Sequence, residues 1–232
     1  MSEDESHTFI QASASLETTQ SFQINANGNT FSILLQQDNP NIVVETAEKN
    51  GVDGVIFLFK DNDHWRMRIY DKDGTFENMC GNGLRATAFI CRELGLIKNK
   101  DFLMTDDGLK RILFNGNRII VMIGSVKKNG PILNVAGVPH FVVNKKMNKE
   151  QDELLRKAFN ANITNYWHGA GMNYRTFEVG VEDYTKSCGT GAVAVTHTLN
   201  RNALTLKSGD GYLHVVRRNG NYYLTGDVKI LN

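Results

Sequence analysis

The tetrapeptide Cys-Gly-x-Gly occurs twice in this chain, as CGNG at residues 80–83 and as CGTG at residues 188–191. Each copy stands directly before a short apolar segment that predicts a helix. A helix that begins at such a turn presents free backbone N–H groups, which bind a carboxylate or another anion. A thiol just before a helix start has its pKa lowered below the roughly 8.5 of free cysteine. The sequence therefore predicts that Cys80 and Cys188 each lie beside an anion-binding helix start.

The rest of the chain repeats one plan around the two motifs. Strands, a helix, further strands and the motif with its apolar helix follow one another in each half, and Asn-Gly turns join several strands. Besides the two apolar helices, at 84–94 and from about Gly191, the pattern predicts helices at 41–50 and 149–160. We predict a flexible leader over 1–18, an N-terminal domain over 19–125 and a C-terminal domain over 126–221, with the last strand, about 222–232, free to return to the first domain.

The composition excludes several classes of partner. The net charge is +1, from 26 Lys and Arg against 25 Asp and Glu, which gives no field to attract nucleic acid. No run approaches the roughly 18 apolar residues of a membrane span, and the start of the chain lacks the pattern of a signal peptide. We therefore expect a cytoplasmic protein with 3 free cysteines. The 6 histidines have no ligand spacing with the cysteines, so no metal is expected.

Two thiols on opposite sides of one cleft can invert the configuration of an α-carbon. One thiolate removes the α-proton from one face, and the opposite thiol donates a proton to the other face. The helix-start amides stabilise the negative charge that develops on the substrate carboxylate. The hand of the substrate decides which cysteine acts as the base, so the pair titrates as coupled groups.

The motifs resemble those of the diaminopimelate epimerase family, whose hallmarks are a Cys-Gly-Asn-Gly and a Cys-Gly-Thr-Gly sequence in two mirrored domains. Shorter matches are GNTF at 28–31, GVD at 51–53 and GVPH at 137–140, similar to the family's Gly-Asn-Asp-Phe, Gly-Phe-Asp and Gly-Asn-Pro-His. The resemblance implies an α/β (α+β) fold of two pseudo-symmetric domains. Each would be a mostly antiparallel sheet wrapped around a central helix, with the active site in the cleft between them. It also implies a free amino acid as substrate, no pyridoxal phosphate, no metal, and a homodimer.

The resemblance assigns roles residue by residue. Cys80 and Cys188 match the acid/base pair, and Asn29 matches an active-site asparagine. The positions that match those holding the α-carboxylate and α-amino end are Gly81, Asn82, Gly189 and Thr190.

The chain departs from the family where that family recognises the distal end of its substrate. No arginine follows Glu178, Val138 stands in place of an asparagine, and Asp71 stands in place of another. A distal carboxylate loses its donors by these changes, whereas a cation gains an acceptor. We therefore predict a substrate with a basic side chain that faces Asp71 and Glu178, with histidine favoured and lysine, ornithine and arginine open.

Two other functions remain open from the sequence. The first is diaminopimelate epimerase activity proper, and the second is a catalytically silent amino-acid-binding or thiol redox protein. Three residues have a structural alternative. Cys91 is expected to pack in the core, His140 either orients the site or is structural, and Asp71 has the composition of a turn residue.

Overall fold

The computed structural model describes residues 20–209 and 211–231, so the predicted leader at 1–18 lies outside the described residues. The strands of the first half are β1 (Gln20–Ala26), β2 (Asn29–Leu35), β3 (Gly54–Asp61), β4 (His64–Asp71), β5 (Phe76–Glu77), β6 (Phe102–Thr105), β7 (Gly108–Asn115) and β8 (Arg118–Gly124). Those that follow are β9 (Val126–Asn129), β10 (Ile132–Val135), β11 (Val138–Val143), β12 (Asn162–Gly169), β13 (Gly171–Glu178), β14 (Asp183–Thr185), β15 (Ala203–Ser208), β16 (Gly211–Arg218), β17 (Asn221–Gly226) and β18 (Val228–Ile230). The helices are α1 (Val43–Asn50), which follows a 3-10 turn at Pro40–Ile42, α2 (Gly81–Glu93), α3 (Lys149–Phe159) and α4 (Gly189–Thr198).

The strands of the two halves pair in the same order. In the first half, β1 and β2 form a hairpin, β2 and β3 are parallel, β3 and β4 are antiparallel, and β4 and β6 are parallel. In the second half the equivalent pairs are β10–β11, β11–β12, β12–β13 and β13–β15, with the same orientations. The parallel pairs enclose helices α1 and α2 in one half and α3 and α4 in the other. The predicted mixed fold of two pseudo-symmetric, mostly antiparallel units is confirmed. Strand β12 was not predicted from the sequence.

Strand pairing joins the two halves at several places. β8 pairs with β17, and β9 pairs with β10. The final strand β18 pairs with β1, where Val228 lies opposite Ala26, whereas β17 pairs with β16 and β8. The division into domains at residue 125 stays a prediction.

Helices α2 and α4 form the centres of the two halves. In α2, 10 of the 13 residues are buried, as expected for a helix that is apolar nearly all round. Cys91 is fully buried among apolar side chains, as predicted. Both helices begin at the glycine that follows the motif cysteine, so the whole motif belongs to a helix start. In the described ranges, no helix is both long and apolar enough to cross a membrane.

A tight turn delivers the first site residue to the end of β2. Asn27 and Gly28 have φ angles of 54° and 95°, the left-handed pair that joins two antiparallel strands. The N–H of Gly28 donates to Oδ1 of Asn25 at 2.8 Å, which closes the turn. Asn29 is therefore held at the first position of β2.

Candidate active site

The two cysteine motifs line one cleft of about 770 Å³. All nine site residues that the sequence analysis selected contribute to its wall. They are Asn29, Asp71, Cys80, Gly81, Asn82, Glu178, Cys188, Gly189 and Thr190. A separate surface cavity of about 830 Å³ lies at the C-terminal end of α2, and none of these nine residues lines it. The structure thus brings together residues that are up to 161 positions apart, from Asn29 to Thr190.

Cys80 and Cys188 occupy equivalent positions as the N-terminal caps of α2 and α4. Their φ and ψ angles are −126° and 117° for Cys80, and −129° and 107° for Cys188. Each sulfur accepts a hydrogen bond from the third residue after it, at 3.4 Å from Gly83 N and 3.3 Å from Gly191 N. A side-chain acceptor at this position satisfies one of the free N–H groups of a helix start. The local chemistry of the repeated motif therefore places both thiols in the same way.

Buried polar side chains hold the second motif in place. The hydroxyl of Tyr174 donates to the Cys188 carbonyl at 2.9 Å and lies 3.2 Å from the Cys188 amide, which donates to it. Thr190 Oγ1 lies 3.4 Å from Cys188 Sγ and 2.9 Å from Nε2 of His140. Nδ1 of His140 lies 2.9 Å from Thr164 Oγ1. Burial lowers the pKa of His140 to about 3, so its ring is a neutral hydrogen-bonding group that orients Thr190.

The first motif has different partners. Asn82, which is 1% exposed, donates through Nδ2 to Oδ1 of Asn29 at 2.7 Å and to the carbonyl of Ser187 at 3.2 Å. Its Oδ1 accepts from Nη2 of the buried Arg85 at 2.6 Å. Asn82 therefore joins the first motif both to β2 and to the residue that precedes Cys188.

Three carboxyl groups face the thiols from three separate strands. Asp71 ends β4, Glu77 ends β5 and Glu178 ends β13, where its Oε1 accepts from Thr185 Oγ1 at 2.8 Å. Burial, followed by the charge of Asp73, raises the pKa of Asp71 to about 6. Burial, followed by the charges of Asp71 and Glu178, raises the pKa of Glu77 well above its ordinary value. The charge of Asp71 raises the pKa of Glu77, so the two carboxyl groups do not titrate independently.

Curated relatives match most of the chain. A diaminopimelate epimerase of Thermotoga maritima is 31% identical over 229 residues, which cover 88% of this chain and 96% of that protein. A diaminopimelate epimerase of Flavobacterium psychrophilum is 33% identical over 190 residues, or 71% of this chain and 74% of that protein. The chain belongs to the diaminopimelate epimerase family. It is therefore an isomerase of the racemase and epimerase class. No protein-family model matches the chain.

Solved structures at lower identity show the same fold as this member of the diaminopimelate epimerase family. A phenazine biosynthesis protein of Bacillus anthracis has a TM-score of 0.71 at 18% identity, over 94% of this chain and 98% of its own. A hydroxyproline epimerase of Agrobacterium vitis with bound trans-4-hydroxy-L-proline has a TM-score of 0.65 at 13% identity, over 92% of this chain and 91% of its own. These similarities show the fold alone.

The prediction that both thiols have a lowered pKa is wrong. Burial raises the pKa of Cys80 and Cys188 above the ordinary value, and the charge of Glu77 adds to this at Cys80. The charge of Glu178, which also accepts a hydrogen bond from the thiol, adds to it at Cys188. The amide of Gly83 lowers the pKa of Cys80, as expected at a helix start, but this effect is smaller than burial and the charge of Glu77. Both groups are thus neutral thiols at neutral pH in this family member.

Sequence reasoning missed several residues in and around the cleft. Glu77 belongs to a strand of only two residues, and Arg85 and Tyr174 lie behind the motifs. The signal for Glu77 was its position three residues before Cys80. Asp71, considered as a turn residue, is the last residue of β4 and lines the cleft. In the described part of the chain, no group of three or more His, Cys, Asp or Glu side chains is arranged to hold a metal ion.

Proposed function

We propose that the protein interconverts the two configurations of a free amino acid at its α-carbon, with Cys80 and Cys188 as the opposed acid and base. The observation that carries this proposal is the shared position of the two thiols. Each caps a helix that begins at the same cleft, and each has the same backbone conformation. This arrangement supports proton removal on one face of Cα and proton donation on the other, without pyridoxal phosphate.

The reaction exchanges the protonation states of the two thiols. The thiolate of one cysteine takes the α-proton and becomes a thiol, and the opposite thiol donates its proton to the other face of Cα and becomes a thiolate. Between these transfers, the electron pair is delocalised into the substrate carboxylate, towards which the free amides of α2 and α4 are directed. A thiolate with a raised pKa is a stronger base for this step, but one thiol must first lose its proton. Glu178, which accepts a hydrogen bond from the Cys188 thiol, is placed to take that proton.

Diaminopimelate is the first candidate substrate. The relatives from Thermotoga maritima and Flavobacterium psychrophilum are named diaminopimelate epimerases, and the similarity to the first covers 96% of its length. The distal amino group of diaminopimelate is a cation, which Asp71, Glu77 and Glu178 can accept. Its distal carboxylate requires donors, and Lys72 and Lys186 are the two basic side chains among the described residues that line the cleft.

An amino acid with a basic side chain and no second carboxylate is the second candidate, with histidine first and lysine, ornithine and arginine open. The charges of the cleft wall favour it. Six carboxylate side chains and two lysines line the cleft, whereas no arginine does so in the described residues. The carboxylates are those of Asp53, Asp71, Asp73, Glu77, Glu178 and Asp183. A cation is stabilised in such surroundings, and a second carboxylate is repelled.

Exchange of the α-proton for solvent deuterium tests the reaction and ranks the substrates. The protein, in reductant and without added cofactor, is incubated in D₂O with L,L-diaminopimelate, L-histidine, L-lysine, L-ornithine or L-arginine, and Cα–H signals are followed by proton NMR. We expect exchange with at least one of them, and its loss in Cys80→Ala and Cys188→Ala. Cys91→Ala is the matched control, because Cys91 lies in the apolar core and should be dispensable.

The outcomes separate the candidates. Exchange confined to L,L-diaminopimelate selects the first substrate and removes the second, and exchange confined to basic amino acids does the reverse. Tight binding of an amino acid in reductant, with no exchange, would overturn the proposed reaction in favour of an amino-acid-binding or thiol redox protein.

A further inference from the structure

Arg85 is a buried cation without a carboxylate partner. It is 0% exposed in the middle of α2. Its guanidinium donates to Oδ1 of Asn82 and, at 3.2 Å, to the carbonyl of Asp227, and its Nε has no hydrogen-bond partner. No ion pair links Arg85 to a carboxylate within residues 20–209 and 211–231. A charge buried in this way costs stability, and the two hydrogen bonds to Asn82 and Asp227 offset only part of that cost.

The chemistry of Arg85 fixes the direction of a hydrogen-bond chain that reaches the cleft. A guanidinium can only donate, so the atom of Asn82 that faces it must be the oxygen. The Nδ2 of Asn82 then faces the opposite way and donates to Oδ1 of Asn29 at 2.7 Å and to the carbonyl of Ser187 at 3.2 Å. With its oxygen engaged, the side chain of Asn29 turns its own Nδ2 donor away from Asn82. No hydrogen bond from this Nδ2 is found within the described residues, and Asn29 lines the cleft.

We propose that Arg85 is a positioning residue that sets the donor direction of the Asn82 and Asn29 amides, so that Asn29 presents an N–H group to the carboxylate of the substrate. The Ser187 carbonyl, which can only accept, favours the same orientation of the Asn82 amide through a longer bond of 3.2 Å, against 2.6 Å for the bond to the guanidinium. Without the guanidinium, only the Ser187 bond would resist rotation of both amides by half a turn, after which Asn29 would present an oxygen that repels a carboxylate. The positive charge also polarises each hydrogen bond in the chain, which strengthens the terminal donor. The identity of the acceptor as a carboxylate rests on the proposed function.

The variants Arg85→Met, Arg85→Lys and Asn82→Asp test this inference, with Arg92→Met on the solvent side of the same helix as the matched control. Racemisation of L,L-diaminopimelate and of L-histidine gives kcat and KM, and thermal unfolding gives Tm. In Arg85→Met we expect KM to rise about tenfold or more, with a smaller change in kcat, because a charge-supported hydrogen bond to the substrate is lost. The Tm measures the structural cost separately, because Arg85→Met removes a buried charge but leaves Oδ1 of Asn82 and the carbonyl of Asp227 without this donor. Arg85→Lys, which retains a cationic donor, should recover part of the KM effect.

Asn82→Asp keeps the test decisive if Arg85→Met does not fold. An aspartate at this position pairs with Arg85 but cannot donate to Asn29, so the same rise in KM is expected in a folded protein. A KM within about twofold of wild type in either folded variant would overturn the inference. So would an Arg85→Met protein that loses both Tm and kcat without recovery in Arg85→Lys, because that result indicates a purely structural role.

A side-chain amide spectrum distinguishes failure of this inference from failure of the proposed function. In selectively ¹⁵N-asparagine-labelled protein, the Asn82 amide protons should exchange slowly with solvent and should lose this protection in Arg85→Met. If wild-type protein turns over none of the five amino acids tested under the proposed function, that function fails, while loss of protection still supports the orienting role. Protection that is retained in Arg85→Met overturns that role whatever the substrate.

Discussion

The backbones of Gly81 and Gly189 contact each other where the two central helices begin. A Cβ atom built on Gly81 would lie 3.5 Å from Cα of Gly189, and one built on Gly189 would lie 3.4 Å from Cα of Gly81. The Cβ atom built on Gly189 would also lie 2.8 Å from Cδ2 of Leu224. The second residue of each motif is therefore glycine because the helix starts pack together. Because Cys80 and Cys188 directly precede these two glycines, the contact lies between the two thiol-bearing residues.

Gly189→Ala should damage activity by moving α4 away from α2. The added methyl group cannot be accommodated at 2.8 Å from Leu224 without a shift of the side chain or the helix. We expect a loss of stability of about 1–3 kcal/mol from overpacking and a loss of α-proton exchange of about tenfold or more. Chemical denaturation and deuterium exchange measure the two effects. Gly169→Ala is the matched control, because its methyl group would meet only the end of the Asn173 side chain, whose hydrogen bond to the Gly171 carbonyl is exposed. Wild-type exchange in Gly189→Ala would show that the spacing tolerates the methyl group.

Removal of the Glu178 charge should lower the pKa of the Cys188 thiol. The carboxylate raises this pKa by its charge and by accepting a hydrogen bond from the thiol. In a Cys91→Ala background, alkylation by iodoacetamide as a function of pH reports the titration of the two remaining cysteines. Wild-type protein should react more slowly at pH 7 than a free cysteine, and Glu178→Gln should react faster. Equal rates in the two proteins would mean that Glu178 does not control the thiol.

The sequence predicted the helix starts and turns that are determined by residues adjacent in the chain. The cysteine motifs form helix starts because the cysteine caps its own helix, and the Asn27-Gly28 turn forms because both residues accept positive φ. The start of α2 was predicted at Leu84 but lies at Gly81, because two glycines at the start obscure the helical pattern.

The remaining features of the site depend on residues from separate elements. The raised thiol pKa values arise from burial and from carboxylates at the ends of β4, β5 and β13, whose proximity no local pattern indicates. The sequence shows Glu77 and Arg85 as ordinary charged residues. Only the fold shows that one faces Cys80 and that the other supports Asn82.

Asp71 should make the protein less stable as the pH rises from about 4 to above 6. Its pKa is about 6 in the folded protein against an ordinary 3.8, so the folded state binds more protons than the unfolded state between these values. The stability that Asp71 contributes is fully present below pH 3.8 and is lost as the pH rises through about 6. Asp71→Asn should therefore be more stable than wild type at pH 7, by on the order of 1–2 kcal/mol, and nearly equal at pH 4. Denaturant unfolding at the two pH values measures the difference. A variant that is less stable than wild type at pH 7 would show that the carboxylate has a partner that compensates its burial.

His140 should have the opposite effect on the pH dependence of stability. Its pKa is about 3 in the folded protein against an ordinary 6.5, so the unfolded state binds the extra proton between these values. Stability therefore falls as the pH decreases from about 6.5 towards 3. The ring should stay neutral at pH 5 in NMR spectra of the folded protein, because burial between Thr164 and Thr190 disfavours the charged form. His140→Gln should reduce the difference in Tm between pH 7 and pH 5. His214→Gln, on an exposed position of β16, is the matched control for the loss of an imidazole. An imidazole that titrates near pH 6 in the folded protein would contradict the neutral, orienting role of His140 towards Thr190.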